Sequence, residues 1–86
     1  MYFVYVVESE TTGRHYTGLT SDLRRRIAEH NQDSSTSTKH RGPWRLLYEE
    51  EFQSLPEAVR RERFFKTGKG REELKRILLD QRPAGG

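Results

Sequence analysis

Two phenols, a guanidinium, an imidazole and a carboxylate stand out for what they could do together: Tyr5, Tyr16, Arg26, His30 and Glu62. Hydrolysis of a phosphodiester needs roughly that inventory. A water must lose a proton near neutral pH, the anionic phosphorane must be stabilised, and the leaving alkoxide must be neutralised by a metal or an acid. Arg26 offers a bidentate fork to phosphate oxygens. Glu62 can anchor a divalent ion, while Tyr5, Tyr16 and His30 are candidates for handling protons. Which phenol acts as the base stays open, because a free phenol has a pKa near ~10 and needs a neighbouring cation to ionise.

These side chains can act together only if their elements bring them to one place. The runs YFVYVVE (2–8) and RHYTGL (14–19) are rich in aromatic and β-branched residues, and SETTG between them supplies turn chemistry. They predict an antiparallel hairpin. Pairing Glu8 with Gly13 across a four-residue connection sets Tyr5 directly opposite Tyr16. Gly18, lacking a side chain, leaves room for a backbone or ligand to approach the sheet.

Ser21 and Asp22 supply a helix-start signal, and a helix is expected from about Asp22 to His30. At about 100° per residue, Leu23 and Ile27 form its buried stripe. Arg26 and His30, one turn apart, lie along the edge of that stripe, while Arg24 and Arg25 point to solvent. The following segment, NQDSSTSTKHRGP (31–43), has no hydrophobic period and is expected to be a mobile surface loop. WRLLYEEEF (44–52) reads as a third strand, with Leu46, Tyr48 and Phe52 on one face and Arg45, Leu47, Glu49 and Glu51 on the other.

SLPE (54–57) matches a capping box and opens a helix to about Lys66. Its apolar stripe is Leu55, Ala58 and Phe65, with Glu62 in the middle. A carboxylate there must find a cation, a hydrogen-bond donor or a metal; an ion pair with Arg26 accounts for it as well as a metal does. TGKG (67–70) is expected to break the helix, and REELKRILLD (71–80) to form a last one before the frayed tail QRPAGG. The order is ββαβαα, an α+β fold with a small three-stranded antiparallel sheet flanked by three helices.

Eighty-six residues suit a single domain, expected over 1–80 with a disordered tail over 81–86. No cysteine is present, which excludes disulfides and thiolate metal sites. The apolar opening MYFVYVV is too short to span a membrane and has no basic segment before it, so the expected location is cytoplasmic. The net charge is +3, and six cations against one anion crowd into RRERFFKTGKGR (60–71), with two phenylalanines between them. That segment reads either as a phosphate-tracking surface or as a solvated helix face.

Taken together, VYV (4–6), YTG (16–18), DLRRRIAEHN (22–31) and EAVRRERFFK (57–66) give the chain a resemblance to the GIY-YIG nuclease family. It is most similar to the short single-domain bacterial members, akin to the catalytic module of the excision-repair endonuclease. Val4 and Thr17 stand where the family signature has glycine and isoleucine. The resemblance implies a metal-dependent endonuclease acting on nucleic acid, with DNA in repair or recombination as the expected substrate. It assigns the scissile phosphate to Arg26, Mg²⁺ or Mn²⁺ to Glu62, and the attacking water to Tyr5, Tyr16 and His30. Gly18, Arg60, Arg61, Arg63, Lys66 and Lys69 become the expected nucleic-acid contacts. A weak homodimer is allowed, and a membrane partner is not expected. The alternative is a non-catalytic nucleic-acid-binding module that uses the basic 60–71 segment.

Overall fold

The computed structural model describes residues 1–32 and 42–81, so most of the expected Ser/Thr loop and all but Gln81 of the expected tail lie outside the described residues. The elements run β1 (Tyr2–Ser9), β2 (His15–Thr20), α1 (Leu23–Asn31), β3 (Trp44–Phe52), α2 (Leu55–Phe65) and α3 (Gly68–Asp80). The strands form one antiparallel sheet in the order β2-β1-β3.

The central strand explains the unbroken apolar run at the start of the chain. Successive side chains of a strand point to opposite faces, and β1 is covered on both. Val4 and Val6 pack with Ala58 and Phe65 of α2 and Leu74 of α3. Tyr5 and Val7 pack on the other face with Trp44, Tyr16, and Leu23 and Ile27 of α1. The helices thus sandwich the sheet, α1 on one side and α2 with α3 on the other.

The hairpin keeps a four-residue connection, but in a different register from the expected one. Ser9 N–H donates to the Arg14 carbonyl at 2.9 Å and Gly13 N–H to the Ser9 carbonyl at 2.9 Å. Gly13 takes a φ of 75°, a left-handed conformation that favours glycine. Glu8 therefore pairs with His15, and Tyr5 stands opposite Gly18 rather than Tyr16. Because the slip is by two residues, Tyr16 stays on the same face as Tyr5, now as a diagonal neighbour with ring centroids 6.4 Å apart.

Strand β3 departs from strict alternation. Val6 pairs with Tyr48 and Val7 with Leu46, leaving Leu47 as the extra residue of a bulge. Leu46 and Tyr48, expected on one face, end on opposite faces. The bulge lets one strand serve two cores: Trp44 packs with Tyr5 and Val7, while Tyr48 and Phe52 pack with Val4 and Val6.

Ser54 caps α2 as expected, its side chain accepting from Glu57 N–H, but Leu55 is 45% exposed and does not join the core. The TGKG segment does not merely interrupt two helices; it starts α3. Thr67 Oγ1 accepts from Gly70 N–H at 3.0 Å and donates to the Phe64 carbonyl at 2.7 Å. Glycine is required at 70 because a Cβ there would collide with the Phe64 carbonyl oxygen.

Candidate active site

Asp22 caps α1 by accepting from Arg25 N–H at 3.2 Å, so the first turn starts where the sequence predicted. At its far end Asn31 Nδ2 donates to the Trp44 carbonyl at 3.0 Å and Asn31 Oδ1 accepts from Trp44 N–H at 2.6 Å. One amide thereby ties α1 to the start of β3. Between these anchors the helix lays Arg26 and His30 over the β1–β2 hairpin and leaves Arg24 and Arg25 exposed.

Four of the five singled-out residues meet there. His30 is fully buried, with its ring centroid 5.7 Å from Tyr5 and 5.2 Å from Tyr16. Tyr5 Oη lies 2.8 Å from His30 Nε2, and Arg26 Nε donates to the same phenol oxygen at 3.3 Å. Since a guanidinium can only donate, the phenol proton is left for an imidazole with its own proton on Nδ1. Arg26 Nη1 pairs with Glu29 at 3.0 Å.

Burial sets the protonation states. It pushes the Tyr5 phenol above its usual range, an effect that the hydrogen bond and charge of Arg26 only partly offset. Burial, followed by the charge of Arg26, holds His30 below the usual histidine range, so it sits neutral in the core. Glu29 and then Tyr5 hold Arg26 firmly protonated, with Tyr16 contributing to the same hydrogen-bonding environment. The donated hydrogen bond from Arg26 keeps the Glu29 carboxyl below its usual range.

Gly18 makes room for part of this cluster and not for a ligand. A Cβ on Gly18 would fall 2.5 Å from Tyr5 Oη and 2.6 Å from Tyr5 Cζ, so the close approach foreseen at this glycine is filled by the neighbouring phenol. Its expected role as a nucleic-acid contact gives way to a packing role.

Glu62 lies elsewhere. It is carried by α2 on the opposite side of the sheet and pairs with Lys66 Nζ at 3.3 Å; its side chain is 21% exposed. The ion pair with Arg26 considered from the sequence is replaced by two local helical pairs, Arg26 with Glu29 and Glu62 with Lys66. Among the described residues no three His, Cys, Asp or Glu side chains gather as a metal cluster. A single half-covered carboxylate, held only by an exposed lysine, suits an ion that keeps most of its waters, as Mg²⁺ does.

The basic 60–71 segment divides in two. Arg60, Arg63, Lys66 and Lys69 are exposed. Arg61 is turned inward: its Nε and Nη2 donate to Glu50 at 2.8 and 3.0 Å, and its guanidinium lies 4.3 Å from the Phe65 ring centroid. Its fork is committed within the fold, which removes it from the expected contact surface.

Two contributors, Glu29 and Asn31, are not singled out by the sequence. Glu29 follows Arg26 by three residues and Arg25 by four, the helical spacing at which charges meet, so its signal is present. The Asn31 clamp depends on where β3 begins, which no local pattern announces.

A three-stranded sheet with an arginine, two phenols and a buried imidazole over one face defines a small α+β module carrying a candidate phosphate site. The chain belongs to the GIY-YIG catalytic domain family, a nuclease family, which matches residues 1–75. It is 48% identical to a UPF0213 protein of Halobacterium salinarum, covering 72% of this chain and 80% of that protein. A UPF0213 protein of Staphylococcus haemolyticus is 40% identical over 88% of this chain and 93% of its own length. The solution NMR structure of the UPF0213 protein BH0048 from Bacillus halodurans shares 36% identity and a TM-score of 0.55, covering 90% of this chain and 85% of that one. No helix among the described residues is long and apolar enough to cross a membrane.

Proposed function

We propose that this chain is a metal-dependent endonuclease that hydrolyses phosphodiester bonds in nucleic acid, with DNA in repair or recombination as its substrate. The observation that carries the reading is the state of Arg26. Its guanidinium is fixed by Tyr5 and Glu29, yet 30% of the side chain remains exposed beside half-exposed Tyr16. A pre-oriented, partly desolvated fork is what stabilisation of a phosphorane requires.

The burial pattern assigns the roles. Tyr5 and His30 are positioning residues: buried, neutral and hydrogen-bonded to each other, they hold Arg26 from behind. Tyr16 is the phenol a water or phosphate can reach, and so is the candidate to orient or deprotonate the nucleophile. Strand β2 is an edge strand, so a phosphate lying along it is accessible to Arg26 and Tyr16 from one face and to Glu62 from the other. Glu62 would hold Mg²⁺ or Mn²⁺, which when bound supplies charge neutralisation at the leaving oxygen.

Incubation of the protein with Mg²⁺ and plasmid, duplex and branched DNA tests this. Nicking that requires the metal and disappears in Arg26→Ala and Glu62→Gln supports it; equal cleavage by those variants overturns it. Metal-independent binding without cleavage would instead favour the non-catalytic module, for which the exposed Arg60, Arg63, Lys66 and Lys69 are the motivating feature.

A further inference from the structure

Between α3 and the sheet runs a groove whose lining includes Tyr16, Leu47, Lys66, Arg71, Lys75 and Leu78. Its edge at Tyr16 belongs to the candidate active site, so the groove is continuous with it. Arg71 and Lys75, one helical turn apart on α3, are both exposed. No ion pair with an acid engages either one among the described residues. The first turn of α3 contains no acid, so cations gather at the end of the helix where its dipole is already positive. Opposite them the floor is aliphatic, formed by Leu47 of the β3 bulge and Leu78, and Gln81 Nε2 ties the end of α3 to the Leu47 carbonyl at 3.3 Å.

We propose that this groove holds an unpaired nucleic-acid strand leading away from the active site, so that the substrate is a junction between duplex and single strand. The proposal rests on the nuclease reading above and deepens it. The charge and apolarity of the groove point to a single strand in particular. A free strand presents phosphates to one wall and exposed base faces to the other. A duplex offers only phosphates outward, with its bases stacked away, and would leave Leu47 and Leu78 without a partner. The groove also explains the bulge in functional terms, since strict alternation of β3 would turn Leu47 elsewhere.

The test is fluorescence anisotropy in chelator, with a labelled single-stranded oligonucleotide, its duplex, and a splayed junction of the two. The wild-type protein should bind the splayed junction at least as tightly as the single strand, and both more tightly than the duplex. The double variant Arg71→Gln/Lys75→Gln should lose about tenfold for the single strand and junction. Its log–log salt slope should fall by about 1.4, the value for two phosphate contacts with a single strand. Duplex affinity should stay within twofold. Unchanged single-strand binding, or an equal loss for the duplex, overturns the groove. Leu78→Ala provides a second reading that leaves charge untouched: it should weaken the single strand alone, and no change there also counts against the groove. Because no cleavage is involved, failure here leaves the nuclease reading standing. Conversely, absence of metal-dependent nicking with groove binding intact defeats the nuclease reading alone.

Discussion

Tyr5 Oη and His30 Nε2, 25 positions apart in sequence, share a 2.8 Å hydrogen bond inside the core, where neither residue is more than 1% exposed. Among the described residues no buried side-chain polar atom lacks a partner, so this bond is part of a fully satisfied network. Tyr5→Phe keeps the ring and removes only the hydroxyl, leaving the imidazole nitrogen without that partner. The expected loss is about 1–3 kcal/mol of folding stability, read as a lower urea midpoint at unchanged m-value. A wild-type midpoint would mean that another group takes over the bond.

His30 also gives a pH signature. Its folded pKa is depressed by burial and by Arg26, so the unfolded chain takes up the proton more readily. Stability should therefore be full above about pH 6.5, the unfolded value, and decline as pH falls below it towards the folded pKa. The limiting slope is about 1.4 kcal/mol per pH unit for one proton. His30→Gln cannot titrate, and its stability profile should be flatter across the same window. Parallel profiles for the two proteins would place the titration at another residue.

Gly18→Ala should destabilise although the residue lies in a strand, where alanine normally has the advantage. The added methyl falls 2.5 Å from Tyr5 Oη, and that phenol is held by both His30 and Arg26. Either the ring shifts and breaks these bonds or the hairpin opens, at a cost of about 1–3 kcal/mol. Thermal denaturation measures it, and a retained midpoint would show that the ring moves aside freely.

These relationships mark where the sequence could and could not be read. The ββαβαα order was legible because each element carries its own signal: an apolar run for β1, Asp22 and Ser54 as caps, and the 3.6-residue period of α1. The choice of Arg26 over Arg24 and Arg25 followed from the same periodicity. The Tyr5–Tyr16 register was not legible, since the placement of Ser9 and Arg14 at the base of the turn decides it and both alternatives keep the phenols on one face. Nor was the role of Gly18: an open backbone position looks the same in sequence whether a ligand or a neighbouring side chain fills it. The β3 bulge was hidden for a different reason. Strict alternation of WRLLYEEEF gives a plausible strand, and only the need to feed two cores from one strand selects the extra residue at Leu47.

Arg61 separates a fold role from a binding role within the basic segment. It donates two hydrogen bonds to Glu50, whose partner on the other side is Tyr48, and lies over Phe64 and Phe65. Arg61→Ala strands a half-buried carboxylate and should lower stability by about 1–3 kcal/mol. Arg60→Ala and Arg63→Ala, both at exposed positions, should stay within about 0.5 kcal/mol while weakening nucleic-acid binding. The reverse pattern, with Arg61→Ala stable and defective only in binding, would return that residue to the contact surface.

Glu62 makes the sharpest demand, because a lone carboxylate holds a divalent ion weakly. Mg²⁺ prefers several waters and takes its remaining oxygens from the substrate phosphate, so titration of the protein alone with Mg²⁺ should show little heat below millimolar concentrations. Lys66 competes for the same carboxylate across one helical turn at 3.3 Å. Lys66→Gln should therefore strengthen Mn²⁺ binding, followed by its paramagnetic broadening of nearby resonances, while Glu62→Gln should abolish that broadening. Adding a non-cleavable oligonucleotide should tighten the metal in the wild-type protein and have no such effect in Glu62→Gln. Metal binding that is tight without nucleic acid, or that survives Glu62→Gln, would locate the ion at another group and leave Glu62 as an ordinary helical ion-pair partner of Lys66.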